Sequence, residues 1–179
     1  MKIFFILLFG ILCSKHTFAK TKFSDVKKAL KEDGYGKAIP KSFHHLNSPK
    51  AVNPVSVSDF SIVGKKSIRF ESNNGECGKE PKWNDCTNDR ERTELYYHKK
   101  PWKKERWYRF YIYFPKDYNS VAPAKMSLIQ WKRHNPSKVL VMFQHMHAGL
   151  TFNRNGDSFK DSYIVLKRNE ELIGNWTEI

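Results

Sequence analysis

Cysteine is scarce in this chain: of 179 residues, only those at positions 13, 77 and 86 are cysteines. Acidic residues are few as well, 18 against 32 lysines and arginines, and no internal repeat or low-complexity tract occurs. The longest apolar run, residues 3–12, is about half of the roughly 20 residues that a membrane-spanning helix needs. These absences argue against a membrane-spanning, repeat or metal-cluster protein and favour one exported domain with a hydrophobic core.

The N-terminus has the composition of a secretory signal peptide. Lys2 precedes the apolar run, and small and polar residues lead to Ala19. We therefore expect residues 1–19 to be removed, which leaves no membrane span and places the protein outside the cell or in the periplasm. A lipoprotein anchored through Cys13 is the alternative, although Leu12 stands where such signals need a small residue.

The mature chain is expected to be strongly cationic. Removal of residues 1–19 leaves 30 basic and 18 acidic residues, a formal net charge of +12. In an exported protein this charge favours an anionic polysaccharide as partner over intracellular nucleic acid; extracellular nucleic acid still fits on charge alone, but no nucleic-acid partner is expected. Cys77 and Cys86 are predicted to form a disulfide worth about 2–3 kcal/mol. A zinc site is the rival reading, but no suitably spaced histidine pair supports it.

Sequence periodicity predicts an all-β fold with a short N-terminal helix. Residues 24–30 have a helical pattern that ends at Gly34, and short alternating segments separated by turns follow. The predicted strands are 67–71, 92–97, 106–114, 126–131, 138–144, 150–153 and 162–167. This spacing favours an antiparallel sandwich over residues 55–179, preceded by an N-terminal segment at 20–54.

A block of charge at residues 89–95 is the most distinctive part of the sequence. It reads Asp89-Arg90-Glu91-Arg92-Thr93-Glu94-Leu95, and strand periodicity would point Arg92 and Glu94 to one face. Arginine can hold a carboxylate or sulfate by two hydrogen bonds while a neighbouring glutamate orients it. A solvent-exposed ladder of salt bridges is the alternative interpretation.

Residues 106–114 alternate between two sets of side chains. One face carries Tyr108, Phe110, Ile112 and Phe114, and the other carries Trp107, Arg109, Tyr111 and Tyr113. The first face is predicted to enter the core, while the second suits stacking against sugar rings. The second face could equally be the other half of a two-sheet core.

Several of these segments resemble the bacterial heparin-lyase-like polysaccharide lyases, a group related to heparin lyase I and glucuronan lyase. The matching motifs, in family order, are Arg69-Phe70-Glu71, Gly75-Glu76-Cys77-Gly78, Asp85-Cys86, the block 89–95, Trp107-Tyr108, residues 113–118, Gln130-Trp131 and Met142-Phe143-Gln144. The resemblance covers residues 55–179 and implies a concanavalin-like β-jelly roll. It also implies β-elimination of a uronic-acid polymer.

The resemblance suggests roles for particular residues. Gln130 matches the family glutamine that neutralises the sugar carboxylate. We further expect substrate contacts from Arg90, Arg92, Glu94, Trp107, Arg109, Tyr111 and Gln144. The elimination also needs a base and an acid. No cofactor is expected; calcium stays open, without a dedicated acidic loop for it.

Two features depart from the family pattern. Lys132 occupies the position where the family commonly has histidine, so Lys132 and His134 become the catalytic candidates, with His145 and His147 as substitutes. The chain ends at Ile179, where a family strand normally continues into further strands, and we therefore expect a C-terminally truncated and incomplete jelly roll.

The sequence therefore predicts a lyase whose catalytic activity is in question. Two alternatives are a non-catalytic carbohydrate-binding jelly roll and a basic exported protein that binds polyanions by charge alone.

Overall fold

The computed structural model describes residues 23–32, 43–47, 55–80, 83–97, 105, 107–133, 138–154 and 162–179. Most of the regular secondary structure in these residues is β-strand. Among the described residues, the helices are α1 (Phe23–Glu32) and α2 (Asn169–Leu172), and a 3₁₀ turn spans Cys86–Asn88. The strands are β1 (Phe43–Asn47), β2 (Val55–Ser58), β3 (Ser67–Phe70), β4 (Lys79–Glu80), β5 (Trp83–Asn84), β6 (Thr93–Tyr97), β7 (Tyr111–Tyr113), β8 (Met126–Arg133), β9 (Lys138–Met146), β10 (Gly149–Arg154), β11 (Ser162–Lys167) and β12 (Trp176–Glu178).

The predicted all-β class is confirmed. Every ladder between two of these strands is antiparallel. The predicted N-terminal helix is present and extends from Phe23 to Glu32. Neither described helix is long and apolar enough to cross a membrane. The jelly-roll topology, the signal peptide and the domain boundary at residues 54 and 55 stay predictions.

The chain divides into two compact units, Met1–Trp102 and Lys103–Ile179. In the first unit, β2 pairs with β3, β4 with β5, and β1 with β6. The predicted disulfide between Cys77 and Cys86 is present, with the two Cα atoms 5.0 Å apart. It closes the loop that leads into the charged block at 89–95.

The second unit is built on a four-stranded sheet in the order β11-β10-β9-β8. Its core centres on Phe114, Leu150 and Leu172. Residues packed against this core are Ile112, Tyr118, Met126, Leu128, Phe143, Ile173 and Ile179. As predicted, Ile112 and Phe114 point inward from the aromatic segment.

The aromatic segment 106–114 forms a shorter strand than its alternation predicts. Regular pairing is limited to β7, where Tyr111, Ile112 and Tyr113 lie opposite β12. Phe110 exchanges two backbone hydrogen bonds with Ile179, at 2.9 and 2.8 Å. Alternation identifies residues able to form a strand, but a ladder also needs a neighbouring strand, and β12 ends at Glu178.

Candidate functional site

The predicted arginine block is organised around Arg92 in the first unit. Its Nε lies 2.9 Å from Asp85 Oδ2, and its Nη2 donates to Asp85 Oδ1 at 3.0 Å. Its Nη1 donates to Glu94 Oε2 at 3.3 Å. The predicted contact between Arg92 and Glu94 is therefore present, and a second carboxylate, Asp85, holds the guanidinium by one hydrogen bond and one ion-pair contact.

Asp85 is the member of this cluster for which the sequence predicted no role, although it belongs to the motif Asp85-Cys86. It is buried, while the Arg92 side chain is 29% exposed. A buried carboxylate lowers stability unless an opposite charge is paired with it. Arg92 supplies that charge to Asp85. The Arg92 guanidinium therefore uses much of its hydrogen-bonding capacity within the protein, on Asp85 and Glu94.

Arg90 has different surroundings. Its backbone N–H donates to the Asp85 carbonyl at 3.1 Å, and the preceding Asp89 has a left-handed backbone with φ of 50°. The Arg90 side chain is exposed and joins no ion pair within the part of the chain that the structure describes. Of the two arginines, Arg90 presents its charge to solvent.

The block is fastened to the neighbouring loop by several hydrogen bonds. The Asp85 N–H donates to the Gly78 carbonyl at 2.9 Å, beside the disulfide. The Thr93 hydroxyl donates to the Glu71 carbonyl at 2.6 Å, and the Gly75 N–H donates to Glu91 Oε1 at 3.0 Å. These bonds fix the backbone from which Arg90 and Arg92 project.

In the second unit, the four-stranded sheet has one face rich in polar side chains. Cross-strand register places Gln130, Met142 and Asn153 in one row, and Ser127, Gln144 and Thr151 in the next. Directly paired residues lie on the same side of a sheet. Two predicted site residues, Gln130 and Gln144, therefore share one face on adjacent strands; we call it the polar face.

Gln144 is held deep in this face. The residue is only 1% exposed, and its Nε2 has no hydrogen-bond partner among the described residues; the same holds for Asn153 Oδ1. Unpaired buried polar atoms are uncommon and cost about 1–3 kcal/mol each. In its present position, Gln144 is a buried member of the polar face, whereas Gln130 is partly accessible.

Of the two catalytic candidates that follow Gln130, the structure describes Lys132 but not His134. Lys132 is exposed on β8, immediately after a break in the β8–β9 register between Trp131 and Lys132. Because the register breaks there, simple alternation does not set the direction of its side chain. His134 lies outside the described residues.

His145, a substitute candidate for the base, belongs to the core. It is completely buried; Tyr118 Oη lies 3.2 Å from its Nδ1, and Asn169 Oδ1 lies 2.9 Å from its Nε2. Since the Asn169 amide donates to the His147 carbonyl, its oxygen accepts from Nε2–H, and Nδ1 accepts from Tyr118. Burial raises the pKa of Tyr118. This chain of bonds ties β9 to α2 rather than presenting an imidazole to solvent.

The predicted aromatic platform has an unpredicted acidic partner. Arg109 Nε lies 2.6 Å from Glu178 Oε1, and the guanidinium carbon lies 5.2 Å from the centre of the Tyr111 ring. The hydrogen bond with Glu178 raises the pKa of Arg109, and the same bond lowers the pKa of Glu178. The pairing of Glu178 with Tyr111 across β7 and β12 makes this contact, so no local sequence pattern could reveal it.

An open aromatic groove of about 390 Å³ also lies in the second unit. Its lining is apolar and consists of Trp107, Tyr108, Phe110, Trp131, Val141, Phe143, Phe152 and Ile179. Trp131 alternates with Gln130 along β8, so the groove lies on the side of the sheet opposite the polar face. Trp107 is 88% exposed at its edge and offers a ring for stacking.

One comparison with known proteins gives a match. A family model described as "Polysaccharide lyase" matches residues 33–178, which is more than half of the chain. Comparisons with curated proteins and with solved structures give no match.

Proposed function

The chain belongs to the polysaccharide lyase family, and from this membership we propose that it cleaves an anionic, uronic-acid-containing polysaccharide by β-elimination. In this reaction a base removes the C5 proton, the C4–O bond breaks, and a C4=C5 double bond forms while the leaving oxygen is protonated. The C5 proton is too weakly acidic to leave until the adjacent carboxylate is neutralised. The site therefore needs a hydrogen-bond donor for the carboxylate and two groups that transfer protons.

We assign carboxylate neutralisation to Gln130. Its amide can donate two hydrogen bonds, and it lies on the polar face next to the row that contains Gln144. An exposed ammonium is a proton donor, so Lys132 suits the acid that protonates the leaving oxygen, and His134 is the proposed base. In the first unit, the exposed guanidinium of Arg90 suits contact with an acidic sugar, and the Asp85 carbonyl holds the Arg90 backbone N–H.

The family match over residues 33–178 is the observation that carries this proposal. The test is to incubate the purified protein with a panel of uronic-acid polymers and follow the ultraviolet absorbance of the new double bond. We expect absorbance with at least one polymer. Gln130→Ala should lower kcat/KM by about 10²–10³-fold, the usual effect of removing a donor that stabilises transition-state charge.

A matched control removes an amide elsewhere in the same unit. Asn119 is exposed in the loop before β8, so Asn119→Ala should leave the rate unchanged. Equal rates for wild type and Gln130→Ala would contradict the role given to Gln130.

A non-catalytic carbohydrate-binding protein is the second candidate. The exposed Trp107 beside the aromatic groove favours it, because sugar rings stack on such side chains without any chemistry. Binding to a uronic-acid polymer without absorbance from any polymer would support this function over the lyase. In that case Trp107→Ala should weaken binding, while Gln130→Ala should not.

A further inference from the structure

The loop between β3 and β4 contains a pair of residues that can undergo a spontaneous chemical change. Asn74 precedes Gly75 in a turn that the Glu76 N–H closes by donating to the Asn73 carbonyl at 3.1 Å. In an Asn-Gly pair, the glycine nitrogen can attack the side-chain amide carbon of the asparagine, because glycine has no Cβ to obstruct the approach. Asn74 is exposed, so water reaches the reacting groups.

This reaction is a deamidation and needs no enzyme. The Gly75 nitrogen bonds to Asn74 Cγ, the Cγ–Nδ2 bond breaks, and Nδ2 leaves as ammonia together with the proton from the Gly75 nitrogen. Water then opens the cyclic imide at either carbonyl and gives aspartate or isoaspartate. Both products carry one more negative charge than asparagine.

In the folded protein the attacking nitrogen is engaged by another group. The Gly75 N–H donates to Glu91 Oε1 at 3.0 Å. Attack on Asn74 requires this charge-assisted hydrogen bond to break. The negative charge of Glu91 also disfavours the deprotonated nitrogen that would attack. The contact between residues 75 and 91 therefore opposes the reaction that the local sequence favours.

The turn itself is fixed by a second carboxylate. The backbone N–H of Asn73 donates to Glu76 Oε2 at 3.0 Å, and the Asn73 side-chain amide donates to the same oxygen at 3.1 Å. These bonds limit the backbone rotation that would bring the Gly75 nitrogen to Asn74 Cγ. They restrain Asn73 itself, whose following residue also has a Cβ, so Asn73 should react more slowly than Asn74.

We propose that Asn74 is a deamidation site whose rate in the folded protein is set by Glu91. Glu91 lies between Arg90 and Arg92, so any movement of the charged block that withdraws its carboxylate frees the Gly75 nitrogen for attack. The new carboxylate at position 74 would in turn repel Glu91 and weaken the attachment of the loop to the block. Because ammonia is lost, the change accumulates as the protein ages. The inference is independent of the proposed lyase reaction.

Peptide mapping by mass spectrometry measures the rate. After reduction and alkylation, trypsin cuts after Arg69 and Lys79 and releases residues 70–79 as one peptide. Fragmentation of this peptide separates deamidation at Asn74 from deamidation at Asn73. In the native wild-type protein, Asn74 should react slowly, although its local sequence favours the reaction.

Substitution of Glu91 tests its role. Glu91→Ala should raise the rate at Asn74 in the native protein by about tenfold or more, as expected from losing one hydrogen bond to a charged group. Glu91→Gln keeps an acceptor oxygen without the charge and should give an intermediate rate. Glu105→Ala is the matched control, because Glu105 is exposed in the second unit; it should leave the rate unchanged.

Denatured protein separates the effect of the contact from that of the local sequence. In guanidinium chloride Gly75 and Glu91 no longer meet, so wild type and Glu91→Ala should deamidate equally and faster than native wild type. Circular dichroism checks that the variants keep the native fold; if Glu91→Ala does not, Glu91→Gln takes its place in the comparison. Equal native rates for wild type and the Glu91 variant would overturn the proposal. So would a native wild-type rate as fast as that of the denatured chain.

Discussion

At the scale of single residues, the two arginines of the charged block have separate tasks. Arg92 is held by Asp85 and Glu94, while Arg90 is exposed. The sequence could predict the Arg92–Glu94 contact because the two residues are two positions apart on one strand. The Asp85 contact depends on the loop closed by Cys77 and Cys86, whose path no local pattern describes. The bond between Arg109 and Glu178 was equally hidden, since it joins residues far apart in the sequence.

Removing the charge of Asp85 should destabilise the first unit. Asp85→Asn leaves the partly buried Arg92 with Glu94 as its remaining described carboxylate and should lower the free energy of unfolding by about 1–3 kcal/mol. Urea unfolding measures the change. Asp89→Asn is the control, because Asp89 is exposed and asparagine tolerates its left-handed backbone. Equal stability of the two variants would show that the Asp85–Arg92 pair contributes nothing measurable.

At the scale of elements, alternation found most strands of the second unit but not their ends. The strands predicted at 126–131, 138–144 and 150–153 extend to β8, β9 and β10, and the prediction at 162–167 coincides with β11. The prediction at 106–114 was too long because its only described partner, β12, is short. Strand pairing depends on two segments, so the pattern of one segment cannot predict how far the pairing extends.

The turn between β9 and β10 depends on a glycine. Gly149 has φ of +116°, and a Cβ at this position would lie 2.2 Å from the Lys167 carbonyl oxygen. Gly149→Ala should therefore lower the free energy of unfolding by about 3 kcal/mol or more, through backbone strain and a clash that only main-chain movement can relieve.

Gly174→Ala provides a comparison within the same unit. Gly174 also has positive φ, at +78°, but its added Cβ would meet the flexible side chain of Lys116 at 2.9 Å. Thermal unfolding should place this variant between wild type and Gly149→Ala. If Gly174→Ala is less stable than Gly149→Ala, the close approach of Gly149 to the Lys167 carbonyl oxygen is not the main reason why position 149 requires glycine.

At the scale of the whole molecule, the amino-acid composition predicted the chemical class of the binding partner more readily than the residues that bind it. A formal net charge of +14 favours a polyanion, and family membership makes that partner a polysaccharide. Charge says little about selectivity, however, because solvent-exposed cations attract any anionic polymer. We propose that selectivity comes from groups held in place, such as Gln130 on the polar face.

Salt should separate these two contributions. Affinity for a uronic-acid polymer should fall as NaCl rises, because counterions displaced from the polymer no longer drive binding as strongly. Preference for that polymer over a sulfated or nucleic-acid polymer of equal length should persist in high salt. Isothermal titration at several NaCl concentrations measures both. A preference that disappears together with the affinity would favour binding by charge alone.

The bond between Cys77 and Cys86 also makes the first unit sensitive to the redox state of its surroundings. It closes the loop that carries Asp85, the carboxylate that holds Arg92. A reducing agent would remove a constraint worth about 2–3 kcal/mol, and noncovalent contacts alone would then keep Asp85 beside Arg92. The arrangement of the charged block is therefore expected to last longest where thiols stay oxidised, outside the reducing cytoplasm.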